Sequence, residues 1–96
     1  MSKLTLPQHY SKLSPTEKRQ VREQYVEEQK GLCAYCGKPL DKEPSKTVTD
    51  SVIFWDLFPP GFLKHPIHLQ HNHDTDLTEG AVHAYCNAVL WQYHGR

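Results

Sequence analysis

The sequence predicts one small α+β domain, and three observations predict it. A strong helix signature sits near the start, short strand-like apolar segments follow, and a second helical pattern closes the chain. Only 38% of 96 residues are hydrophobic, so the core is limited and a chain of this size often needs a staple. The three cysteines are an odd number, which disfavours a closed disulfide framework and favours metal binding at short spacing.

The elements follow in order. Residues 1–13, with Pro7, read as an extended arm. SPTEKRQVREQYVEEQKG then carries Ser14 as N-cap, Pro15 at the first helical position and Glu17 completing a capping box. The spacing predicts a helix over 14–30 with a thin apolar stripe of Val21, Tyr25 and Val26, and Gly31 stops it. LCAYCGKPL reads as a tight knuckle over 33–40. Residues 41–66 form an insert: a polar, turn-rich DKEPSKTVTDS, then SVIFWDLF as a short strand or buried loop, ended by PPGF. Ile67 and Leu69 lead into the histidines as a strand, 74–80 make a turn or loop, and Ala81-Val82 give a second short strand. From about Tyr85, CNAVLWQYHG has Val89, Leu90 and Tyr93 at helical spacing.

Cys33-Ala-Tyr-Cys36 can point two thiolates at one centre. A redox pair would begin a helix after a strand, whereas this one follows a helix and runs into Gly-Lys-Pro. His83-Ala-Tyr-Cys86 repeats the spacing, and the two pairs together supply the four ligands of a closed tetrahedral structural zinc site. That assignment uses all three cysteines. The bland alternative is a core histidine beside a small buried thiol.

The same stretch leaves His68, Gln70, His71, Asn72, His73 and Asn87 over. His71 and His73 share a face of an extended segment, and Asn87 is fixed in place by the neighbouring zinc ligand Cys86. A neutral imidazole activates water near neutral pH, and a divalent ion neutralises charge on a phosphate and its leaving oxygen. These are the requirements of phosphodiester hydrolysis, with Asn87 offering its amide oxygen to such an ion.

Gln70-His71-Asn72-His73 and Glu79-Gly80-Ala81-Val82-His83-Ala84-Tyr85-Cys86-Asn87 together resemble the HNH (ββα-metal, His-Me finger) nucleases. More narrowly the chain resembles the phage recombination endonuclease VII family, with its helix, C-x-x-C, strand ending in Asp-His-x-His, and R-G-L-L-C-x-x-C-N. The likeness covers about residues 14–40 and 67–92, and the spacing from Gly80 to Asn87 is its specific part. It implies a small zinc-stabilised α+β domain of N-terminal helix, zinc knuckle and ββα-metal finger, the last over 67–94. It implies that His71 is the general base, that His73 contacts the scissile phosphate or the metal, and that Asn87 ligates a catalytic Mg²⁺ or Mn²⁺. Gln70 stands where the family has Asp, and its carbonyl oxygen would serve as a weaker metal ligand. His83 replaces the third zinc cysteine, and Glu79 replaces an Arg.

The implied activity is a divalent-metal-dependent DNA endonuclease of phage or prophage origin. The alternative is a zinc-stabilised nucleic-acid-binding or regulatory module with little or no cleavage, and a third class uses the aromatic insert to bind another protein. With 11 basic and 11 acidic residues there is no global pull on nucleic acid, so phosphate contacts fall to local residues such as Lys18, Arg19, Arg22, Lys30 and Lys38. The family's dimer suggests a homodimer through residues 14–30. No apolar run approaches the roughly 20 residues of a membrane helix. MSKLTLPQHY lacks the apolar core of a signal peptide, so no membrane association and a cytoplasmic location are expected.

Overall fold

The computed structural model describes residues 4–94. It is an α+β arrangement of a two-stranded antiparallel sheet and three helices, with two short 3₁₀ turns. Helix α1 spans Pro15–Glu28, and its start follows the sequence: the Ser14 hydroxyl accepts the Glu17 N–H while the Glu17 carboxylate accepts the Ser14 N–H. Two left-handed residues, Lys30 (φ 56°) and Gly31 (φ 76°), turn the chain out of the helix. Val21 is buried, and Tyr25 and Val26 pack on the core, so the apolar stripe of α1 is used within the chain.

Strand β1 (Ile67–His71) pairs with β2 (Thr78–His83), Ile67 opposite His83 and Gln70 opposite Gly80. His71 then pairs with Thr78, which leaves Glu79 as an extra residue in β2. Such a bulge twists a strand and re-aims the side chains beside it. The turn between the strands is built by Asn72, whose Oδ1 accepts the N–H groups of Asp74 and Thr75, with Asp76 in the left-handed region at φ 63°. Helix α3 (Ala84–His94) starts directly at the end of β2.

Three features differ from the sequence expectations. β2 begins at Thr78 rather than Ala81, because the arm lies beside it: the Gln8 N–H reaches Thr78 Oγ1, the Thr78 N–H reaches the Gln8 carbonyl, and His9 bridges Leu77. A single-sequence reading does not see a pairing between residues so far apart. The polar half of the insert contains a one-turn helix, α2 (Lys46–Thr49), whose Val48 enters the core. The apolar half forms a 3₁₀ turn at Trp55–Leu57 rather than a strand. Gln92 of α3 holds it by accepting the Phe54 N–H and donating to the Val52 carbonyl.

The core collects Cys33, Leu40, Val48, Ala81, Val82, Cys86, Val89 and Leu90 from the knuckle, α2, β2 and α3, with Tyr25 and Val26 of α1 and Ile67 of β1 packed against it. At its edge Gln29 clamps α1 to β2, accepting the Ala81 N–H at 2.9 Å and donating to the Ala81 carbonyl at 2.9 Å. Gly80 sits under that clamp, and a Cβ there would lie 2.9 Å from both Ala34 Cβ and Gln29 Oε1. Gly80→Ala is therefore expected to destabilise the protein by about 1–3 kcal/mol through overpacking, read as a lower denaturation midpoint. An unchanged midpoint would mean that the knuckle does not press on the hairpin.

Candidate functional site

Cys33, Cys36, His83 and Cys86 come together with their donor atoms all within 4.8 Å of one another. The knuckle that presents the first two is closed by the Cys33 N–H to the Lys38 carbonyl (2.8 Å) and the Gly37 N–H to the Cys33 carbonyl (3.1 Å). Gly37, at φ 78°, supplies the left-handed step this turn needs. The Ala34 N–H donates to the Ala81 carbonyl at 3.0 Å, tying the knuckle to β2, whose last residue is His83. Cys86 lies in the first turn of α3 and is fully buried.

His83 is oriented for ligation. Its Nε2 lies 2.9 Å from the Pro39 carbonyl, an acceptor only, so Nε2 carries the proton and Nδ1 is left as a donor pair. Nδ1 stands 3.5 Å from both Cys36 Sγ and Cys86 Sγ. A tetrahedral zinc with Zn–S bonds of about 2.3 Å and Zn–N bonds of about 2.0–2.1 Å separates sulfur from nitrogen by about 3.5 Å, so the spacing fits. Three sulfurs share this small volume with the imidazole. The Cys86 thiol hydrogen-bonds to Cys33 and draws the Cys33 thiol down to about 4, with turn amides helping against burial. The same contact, together with burial, pushes the Cys86 thiol up. The Cys₃His group can thus hold a metal ion such as zinc, and it knits knuckle, hairpin and closing helix together.

Between α1, the hairpin and α3 lies a cleft of about 320 Å³. The hairpin and α3 contribute His68, His71, His73 and Asn87, α1 contributes Lys18 and Arg22, and the arm contributes Tyr10. Of the residues the sequence singled out for chemistry, His71, His73 and Asn87 meet here. Gln70 does not: it is 4% exposed, absent from the cleft lining, and its Nε2 donates to Glu79 Oε1 (2.7 Å) and the His71 carbonyl (3.1 Å).

His71 lies flat on Tyr10, with ring centroids 3.8 Å apart and planes 7° from parallel, and stacks on its other partner His73 at 4.6 Å and 20°. β1 ends at His71, so the two imidazoles are joined by ring contact rather than by strand alternation. Lys18 sits 4.2 Å from the centre of the Tyr10 ring, a cation–π contact. Burial, reinforced by the neighbouring His73, Lys18 and opposed by Asp76 and Glu79, holds the His71 imidazole below its ordinary value. His68 is likewise lowered, by burial, and its Nδ1 is 3.1 Å from the Asn87 amide nitrogen.

Sequence reasoning left His68 as a support and overlooked Tyr10 and Trp91, which also lines the cleft. His68 carried a usable signal, since Asn87 follows a metal ligand and needs a partner on β1. Tyr10 had none, because the arm reaches His71 through long-range pairing with the hairpin turn, led by the Tyr10 N–H to the Asp76 carbonyl at 2.7 Å.

The lining residues include two cations and no carboxylate. Mg²⁺ demands hard oxygen ligands, carboxylates foremost, and the cleft does not make such a cage. Imidazole donors suit Fe²⁺, Ni²⁺ or Zn²⁺, and Mn²⁺ accepts nitrogen ligands more readily than Mg²⁺ does.

No protein-family model, no curated protein and no solved structure matches this chain. Among the described residues no helix is long and apolar enough to cross a membrane.

Proposed function

We propose that the protein is a nucleic-acid phosphodiester hydrolase, a DNA endonuclease of the HNH type, with its hairpin and α3 acting as a ββα-metal finger. The observation that carries this reading is one cleft in which a lowered-pKa imidazole, an Asn amide and two side-chain cations converge, in a chain that also carries a Cys₃His group. His71 in its neutral form takes a proton from water as the water oxygen attacks phosphorus. The P–O bond to the leaving sugar oxygen breaks, that oxygen takes a proton from solvent water, and the His71 imidazolium returns its proton to solvent. Tyr10 and His73 stack on the His71 ring and fix the plane of the imidazole. Lys18 and Arg22, at i and i+4 on one face of α1, receive the phosphates. His68 holds the Asn87 amide toward the cleft. A divalent ion such as Mn²⁺, which tolerates imidazole better than Mg²⁺ does, would be held by imidazole nitrogen and the Asn87 amide oxygen and would neutralise charge on the phosphate.

The placement of Gln70 favours a second reading, a nucleic-acid-binding module with weak cleavage. Its amide is engaged with Glu79, and no acidic residue replaces it in the cleft. Incubation of zinc-loaded protein with supercoiled plasmid separates the two. Conversion to open circles in Mn²⁺ exceeding that in Mg²⁺ is the expected result. Retarded but uncut plasmid in both metals supports the second reading, and neither binding nor cleavage overturns both.

A further inference from the structure

The cleft has an aromatic side that the hydrolytic reading does not use. Phe62 of the insert and Trp91 of α3 line it together with His68, Lys18 and Arg22. Trp91 is 42% exposed although it sits beside buried Leu90 and Val89. Its ring is held at a fixed tilt by Phe58, with centroids 5.3 Å apart at 59°. Phe58 in turn meets Phe62 at 4.8 Å, and Phe62 meets the His68 ring edge-on at 4.8 Å. Trp55 buttresses the far end against Tyr85 at 5.2 Å and 84°. The insert thus props two rings at the rim of the cleft, instead of burying them in the core, where they would contribute more to folding.

An exposed ring backed by a tilted aromatic neighbour, in a cleft lined by two cations and no carboxylate, suits one ligand chemistry. A nucleobase stacks on the ring while the phosphates flanking it meet Lys18 and Arg22. Within a continuous duplex both faces of each base are already stacked, so only an unpaired or splayed base can use such a platform.

We propose that Trp91 and Phe62 form a stacking subsite for an unpaired nucleobase beside the phosphates held by Lys18 and Arg22. The preferred substrate is then a strand with unstacked bases, not uninterrupted duplex. The proposal rests on the nucleic-acid reading of the cleft, but not on cleavage. Its test is binding without added divalent metal. Trp55→Phe leaves Trp91 as the one remaining tryptophan of the two in the chain. In that background a twelve-residue oligothymidylate should quench tryptophan emission and bind about tenfold more tightly than a blunt duplex of equal length. Trp91→Ala should lose about tenfold for the single strand and little for the duplex, while Trp91→Phe retains most of the affinity. Circular dichroism and zinc content confirm that each variant is folded. Equal affinity for the two forms, unquenched emission, or a Trp91→Ala loss shared by both overturns the subsite. Plasmid cleavage that survives such a result leaves the hydrolase reading standing. A quenched, selective complex without cleavage leaves the subsite standing and removes the hydrolase.

Discussion

Replacing Cys86 with serine, or stripping the protein with a strong chelator, is expected to unfold it. Cys86 is fully buried, and its sulfur joins α3 to the knuckle and to His83 at the end of β2. A structural zinc contributes about 10–16 kcal/mol of apparent binding free energy at neutral pH. The net stability of a small domain is only about 5–15 kcal/mol, so a zinc bound here would decide whether this chain is folded. The buried core is mostly small and medium side chains, and Val21, Val82 and Cys86 are the largest that are fully buried. A core of that size offsets only a small part of such a loss. The measurement is a circular-dichroism melt with zinc content determined in parallel. The expected result is one equivalent of zinc in the wild type and loss of the cooperative transition when it is removed. An unchanged melt in saturating chelator contradicts the metal centre. Because the ligands bind metal as thiolates and neutral imidazole, zinc should also be released as pH falls.

His71→Ala carries the second large effect, and it falls on chemistry rather than on folding. A positioned general base contributes about 10²–10⁴-fold to rate, and the cleft holds no carboxylate to take its place. The variant should keep its zinc and its melt while losing cleavage by that factor. The pH dependence follows from the direction of the His71 shift. Burial disfavours the imidazolium, so the neutral base persists to lower pH than an ordinary imidazole with its value near 6.5. Cleavage should be flat through neutrality and fall as pH drops through a midpoint below 6.5. Stability carries the same sign. His68 and His71 are both depressed in the folded state, so below 6.5 the unfolded chain binds more protons. Their contribution is complete above 6.5 and is lost as pH falls through the folded values.

The parts of this protein that were legible in its sequence are those fixed by short spacing. The Ser14, Pro15, Glu17 box set the start of α1 to the residue, because capping is a local hydrogen-bond exchange. The two x-x pairs gave the Cys₃His group, because two ligands three residues apart on a tight turn can reach one ion. The cleft was legible only in its hairpin half. His71, His73 and Asn87 lie within or beside the zinc-anchored segment, whereas Tyr10, Lys18 and Trp91 reach them from the arm, α1 and the far end of α3. The placement of Gln70 was hidden for a related reason. Alternation along a strand gives a face, but the bulge at Glu79 and the bond to its carboxylate decide where that amide ends. The 41–66 insert resisted reading because its apolar residues divide their work. Val48 and Ile53 join the core, while Phe62 stands in the cleft wall.

The central claim, that His71 is the base of a phosphodiester hydrolase, meets its most direct test in a side-by-side plasmid assay. Wild type and zinc-replete His71→Ala are incubated with supercoiled plasmid and Mn²⁺, and the rate of open-circle formation is compared. The account predicts cleavage by the wild type and a fall of about 10²–10⁴-fold in the variant. Equal rates from two folded, zinc-replete proteins would contradict it.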